Sequence, residues 1–170
     1  LQRNKYDKKD CLEVGLAAEE SFKEIALREG WSVQDSSRYQ NMNDHVDVII
    51  SKPDEVLNVD VKGLRRRSRW DDEFELEWTW IEYHGVRQND IGWLFGGKAD
   101  LFAFEHINYF IIITRDNLQT LARTLVKSGS MAQKAADAKY KPYSRPGRHD
   151  IIAMIETQHI IDNAWAIWEK

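Results

Sequence analysis

Two short apolar runs, Val46-Asp47-Val48-Ile49-Ile50 and Leu57-Asn58-Val59-Asp60-Val61-Lys62, lie either side of the turn residues Lys52-Pro53-Asp54. Their β-branched content and the short break between them predict a hairpin. Alternation along the second strand sends Leu57, Val59 and Val61 to one side and Asn58, Asp60 and Lys62 to the other. At a rise of ~3.3 Å per residue, Asp60 and Lys62 stand about 7 Å apart on that face. Asp47 breaks the other apolar run, and burying an isolated carboxylate costs several kcal/mol. Two carboxylates on neighbouring strands also repel. A divalent cation between them relieves both costs, and two carboxylates plus waters suit Mg²⁺.

The flanking pattern predicts a mixed α/β domain with a largely central sheet. From Leu12 to Glu29 the periodicity is helical, with Leu12, Leu16, Phe22, Ile25, Ala26 and Leu27 on one broad face and Gly30 as the stop. Residues 1–11 read as a loose segment. Trp31 to Gln34 suggests a short strand, and Ser36 to Asn43 a polar loop. Trp78 to Tyr83 reads as a third long strand. Gly92 to Gly97 brackets a turn or a single helical turn. Leu101 to Phe104 and Tyr109 to Thr114 read as paired strands. A second helix opens at Asp116, with Gln119 at capping-box spacing. The proline-containing stretch from Lys127 to Asp150 ends in loop, and Ile151 to Ile155 is a last strand before a tail with Trp165 and Trp168.

Composition narrows the function classes. A length of 170 residues fits one domain, 1–170, and no apolar run approaches the roughly 20 residues that cross a bilayer. The net charge of −4 excludes a polycation that holds nucleic acid by bulk charge, though not a local basic patch. One cysteine, Cys11, makes no internal disulfide and no multi-cysteine zinc site, which points to a reducing, cytoplasmic setting. The first residues have neither a methionine nor an apolar signal core and read as a trimmed or processed start.

Glu19 is the acid out of place on the first helix, lying within the apolar face between Leu16 and Phe22 while Glu20 falls toward the charged side. An acid there must be paired, protonated or metal-bound. Glu19, Asp47 and Asp60-Val61-Lys62 together resemble the pattern of the PD-(D/E)XK nuclease superfamily. The front part is most similar to archaeal Holliday junction resolvases and phage-type nucleases, with Glu19 eleven residues before Gly30-Trp31. The resemblance covers roughly residues 12 to 63, and Val46 stands where the family name has proline. It implies a restriction-endonuclease-like core, a central mixed β-sheet flanked by helices, and Mg²⁺- or Mn²⁺-dependent hydrolysis of DNA. Asp47, Asp60 and the Val61 carbonyl would hold the ion, Lys62 would orient the attacking water or steady the developing charge, and Glu19 would help hold this ion or a second one. Homodimers are common among such folds. The residues alone leave another reading open, in which Asp60 and Lys62 form an ion pair on a solvent face and Asp47 ends a turn.

Phosphate-binding candidates follow the motif directly. Arg65, Arg66, Arg67 and Arg69 leave the Asp60-Lys62 strand, with Trp70 beside them, and equally answer the acidic run Asp71-Asp72-Glu73-Phe74-Glu75. The stretch with Lys127, Lys134, Lys139, Lys141, Arg145 and Arg148 is a second basic surface. Trp31, Trp78 and Trp80 read as packing residues. The five histidines show no metal-ligand spacing, although His45 stands two residues from Asp47, and Gly96-Gly97-Lys98 does not complete a nucleotide-binding loop. The expected function is a metal-dependent deoxyribonuclease. The alternative is a catalytically silent nucleic-acid-binding or assembly module on the same scaffold.

Overall fold

The computed structural model describes residues 8–67, 72–85 and 88–170, with side chains from residue 11 onward. Arg69, Trp70 and Asp71 lie outside the described residues. Helix α1 (Lys8–Arg28) is followed by β1 (Ser32–Asp35), β2 (Val48–Lys52), β3 (Glu55–Lys62) and β4 (Trp78–His84). A single turn, α2 (Trp93–Gly96), leads to β5 (Leu101–Glu105), β6 (Tyr109–Thr114) and α3 (Arg115–Leu125). The chain closes with β7 (Ile151–Glu156), α4 (Thr157–Asp162) and β8 (Ala166–Glu169).

Six strands form one sheet in the order β1-β2-β3-β5-β6-β8, and β4 pairs with β7 in a separate two-stranded ribbon. Only the β3–β5 pairing is parallel, so the main sheet is mixed. The expected hairpin is β2–β3, with Val48 opposite Val59. Each face of the sheet has its own apolar core. On one side α1 presents Ala18, Phe22, Ile25 and Ala26 to Val48, Val59, Val61 and Ile112. On the other, Phe102, Phe104 and Ile113 meet Ile81 of the ribbon, Trp93 of α2, Leu118 of α3 and Ile160 of α4. The result is an α/β fold with a mixed sheet flanked by helices. Among the described residues no helix is long and apolar enough to cross a membrane.

Several expectations are corrected. Helix α1 begins at Lys8, so residues 8–11 are helical rather than loose. Its buried stripe is Ala18, Phe22, Ile25 and Ala26, which repeats at i, i+4, i+7 and i+8. Leu12, Leu16 and Leu27 are 60%, 52% and 58% exposed, because by helix phase they point away from this stripe. Gly30 takes a positive φ of 82°, the left-handed stop that its position suggested. The loop after β1 contains a π-helical turn, Gln40–Asp44. Strand β4 does not join the main sheet, since β5 occupies the free edge of β3. Helix α3 is capped by Thr114, whose hydroxyl accepts from the Asn117 N–H at 3.2 Å, and Asp116 instead sits in the first turn, where the helix dipole favours an acid. The aromatic tail forms α4 and the edge strand β8.

Phe22 is the residue through which that edge is tied to α1. Its ring stacks on Trp168 of β8 and meets Phe110 of β6 edge-on, both at 5.5 Å between centroids. Phe22→Ala is expected to lower the unfolding free energy by about 3–5 kcal/mol, the range for deleting a buried aromatic ring. Leu16→Ala, off the buried stripe, is expected to change it by less than about 0.5 kcal/mol. Urea denaturation of the two variants measures the difference, and equal losses would mean that the helix phase is wrong.

Candidate active site

The site begins where β2 stops pairing with β3. The ladder reaches Val48 opposite Val59, so Asp47 and Asp60 face one another one step beyond it. The Asp47 N–H still donates to the Val59 carbonyl at 2.9 Å, and its own carbonyl accepts from the Ser36 N–H at 3.2 Å. The Val61 N–H is then taken by Asp47 Oδ2 at 2.8 Å, while Asn41 Nδ2 donates to Oδ1 at 2.7 Å. Asn41 reaches this position from the π-helical turn, and π-turns recur at functional sites. In an extended strand the N–H and C=O of one residue point to the same edge. The Val61 carbonyl therefore shares the edge that Asp47 occupies.

Asp60 is 2% exposed, on the face of the sheet covered by Phe102 and Trp93. The solvent-face ion pair is therefore excluded, although the pairing with Lys62 is real. Lys62 Nζ lies 2.7 Å from Asp60 Oδ1 and 4.6 Å from the centre of the Trp93 ring. Asp60 Oδ2 is buried and has no hydrogen-bond partner among the described residues. Burial pushes the Asp60 carboxyl up, against the pull of Lys62 and, less strongly, Arg115. Arg115 is fixed from behind: Nε donates to the Ala99 carbonyl at 2.5 Å and Nη1 to the Leu94 carbonyl at 2.8 Å, over the Phe102 ring. Asp47 is raised from 3.8 to about 6, first by burial and then by the charge of Asp60.

Glu19 is the half-buried acid of its helix, next to buried Ala18, whereas Glu20 points out and pairs with Lys23 at 2.7 Å. Burial and then the Asp47 charge raise Glu19 from 4.5 to about 7. Glu19 and Asp47 thus feel each other across the edge of the sheet. Among the described residues no three of His, Cys, Asp and Glu come together as a metal cluster, so Glu19 does not join the two aspartates as a third close ligand. The oxygens of Asp47, Asp60 and Val61 are a hard donor set, fitted to a divalent cation such as Mg²⁺ or Mn²⁺ that keeps waters in its remaining positions.

The arginine loop answers its acidic neighbours. Arg66 pairs with Asp72 at 2.9 Å and Arg67 with Glu73 at 3.1 Å, and backbone bonds between residues 65–67 and 73–75 zip the two stretches together. Lys98 is tied to Asp44 at 3.0 Å, and His45 lies 3.6 Å from Asp90. Sequence reasoning missed Glu82. This β4 acid accepts from the Trp93 N–H at 3.3 Å and feels the charge of Lys62, while burial raises its carboxyl. The signal was present in Trp78-Thr79-Trp80-Ile81-Glu82-Tyr83, an acid inside an apolar run like Asp47.

No family model and no curated protein matches the chain. Among solved structures, the bacterial homing endonuclease I-Ssp6803I is similar over 62% of this chain and 69% of that chain, with a TM-score of 0.45 and 16% identity. That is a distant, partial likeness.

The raised acids set a pH dependence. A carboxyl whose pKa is higher folded than unfolded binds its proton more tightly in the native state, so stability falls as pH rises through the window between the two values. For Glu19 the window runs from 4.5 to about 7. In chelator-treated protein, Glu19→Gln is expected to flatten the fall in Tm across that window and to raise Tm at pH 8 relative to wild type. Parallel Tm–pH curves would show that Glu19 is an ordinary surface acid.

Proposed function

We propose that this protein is a metal-dependent deoxyribonuclease of the PD-(D/E)XK kind. The observation that carries the reading is the facing pair of half-buried Asp47 and buried Asp60 where the β2–β3 ladder ends, with the Lys62 ammonium on Asp60. Neither the hairpin nor the sheet needs two facing aspartates, and the charge of Asp60 raises the Asp47 carboxyl. Asp47, Asp60 and the Val61 carbonyl would hold the cation. When bound, it supplies Lewis-acid polarisation of the phosphate and a water acidic enough to yield a nucleophile near neutral pH.

The side chains do the rest. Lys62 spends one of its three N–H donors on Asp60 and keeps the others for a phosphate oxygen as negative charge builds there. The Trp93 ring fixes the height of the ammonium by cation–π attraction. Water gives up a proton to solvent as it attacks phosphorus in line, the bond to the departing oxygen breaks, and a proton from solvent neutralises that oxygen.

Cleavage of labelled branched, duplex and single-stranded DNAs with Mg²⁺ tests the reading. Lys62→Ala is expected to slow cutting by about 10²–10³-fold, the scale for removing one donor to a developing oxyanion. Mg²⁺ is expected to raise Tm of the wild type and not of Asp60→Ala, because a ligand bound only by the native state stabilises it. Equal cutting by wild type and Lys62→Ala would remove the mechanism. Binding without cutting of any of these DNAs would favour the catalytically silent module.

A further inference from the structure

Beside the proposed site, on the far side of Trp93, a cleft with room for about one water (~30 Å³) is lined by Arg65, Trp80, Glu82, Trp93, Arg145 and others. Two of its walls bear on Lys62: Trp93 carries the ammonium on its ring, and Glu82 feels its charge. Arg145 comes from a different part of the chain. It sits on an ordered turn in which Ser144 Oγ donates to the Arg148 carbonyl, and Tyr143 and Ile152 exchange both backbone hydrogen bonds.

Arg145 is held from below by Asp150. Both Nε and Nη2 of its guanidinium engage Asp150 Oδ2, and Asp150 is 0% exposed. The second oxygen, Oδ1, is buried with no hydrogen-bond partner among the described residues. The arginine itself is 38% exposed. A fully buried carboxylate is costly, and its geometric effect here is to fix the Nε–Nη2 edge of a guanidinium whose side chain lines the cleft and stays part-exposed. Such a planar fork matches phosphate oxygens.

We propose that Arg145, anchored by Asp150, is a phosphate-binding residue for the DNA strand, gripping a phosphate next to the one presented to Lys62. This rests on the proposed nuclease reading and adds to it the element that places the strand. Arg65 lines the same cleft and adds positive charge to it.

The test is fluorescence anisotropy in EDTA over a KCl series, with a short labelled duplex and a four-way junction of the same arms. Arg145→Gln is expected to weaken binding by about tenfold near 0.1 M salt and to reduce the slope of log K against log salt by about 1, as loss of one phosphate contact should. Arg145→Lys is expected to keep the slope. Since Arg145→Gln leaves Asp150 buried and unpaired, the double variant Arg145→Gln/Asp150→Asn, checked for wild-type Tm, is expected to show the same loss of affinity and slope.

Unchanged affinity and slope in the double variant would overturn the proposal, as would wild-type protein that binds neither DNA. The two readings separate cleanly. Arg145-dependent binding together with Lys62-independent cutting would sink the catalytic mechanism and leave the phosphate contact standing. The reverse pair of results would sink the contact alone.

Discussion

A buried carboxylate paired with a lysine is the constraint around which this structure is arranged. Asp60 is 2% exposed, with Lys62 on one of its oxygens and a weaker pull from the Arg115 charge. Removing one partner from such a buried arrangement costs about 3–5 kcal/mol, whereas apolar residues of similar volume are often as stable or more so. Asp60 is therefore expensive to keep and not needed for packing. Both cations depend on other elements for their positions. Lys62 needs the Trp93 ring of α2, and Arg115 needs the carbonyls of Trp93, Leu94 and Ala99. The short helix α2 thus serves both, and the packing of the ribbon face follows from that demand.

Local irregularities lie where regular pairing would have closed the site. If β2 had continued its ladder one residue further toward its start, the Asp47 side chain would not have taken the Val61 N–H. The chain instead leaves the sheet through a π-helical turn that ends at His45 with a φ of 52°, an unfavourable conformation for a residue with a Cβ. Gly92 does the equivalent work on the other side. Its φ is 81°, and a Cβ there would stand 2.9 Å from the His84 nitrogen. Only glycine lets α2 start hard against the end of β4, which is how the Trp93 N–H reaches Glu82 and its ring reaches Lys62.

The parts of this arrangement that were legible in the sequence are those governed by local periodicity. The β2–β3 hairpin, the shared face of Asp60 and Lys62, and the choice of Glu19 over Glu20 all follow from strand or helix phase. What was not legible depends on distant pairing. Nothing near Trp78 states that β4 pairs with Ile151–Glu156 rather than with β3, so Glu82 could not be placed beside Lys62. The apolar face of α1 reads too broadly in the sequence: Leu12 and Leu16 group with Phe22 there, yet they lie off the stripe that packs on the sheet and are exposed. Arg115 reads as a helix-start residue, and its approach to Asp60 arises from the β5–β6 pairing that sets Thr114 opposite Leu101.

On the proposed reading, a chain of net charge −4 would bring an anionic strand to a few fixed cations rather than to a basic surface. The two buried aspartates of the described chain answer that need in the same way. Asp60 fixes Lys62 on the main sheet, and Asp150 fixes Arg145 beside the β4–β7 ribbon. Long cationic side chains lose up to about 2 kcal/mol of rotamer freedom each when a ligand orders them. An ammonium and a guanidinium already held by buried carboxylates have lost much of that freedom before any strand arrives. Trp93 and Glu82 line the cleft beside Arg145, and both also bear on Lys62. On the proposed reading, the acids that look least suited to binding a polyanion hold the cations that would meet it.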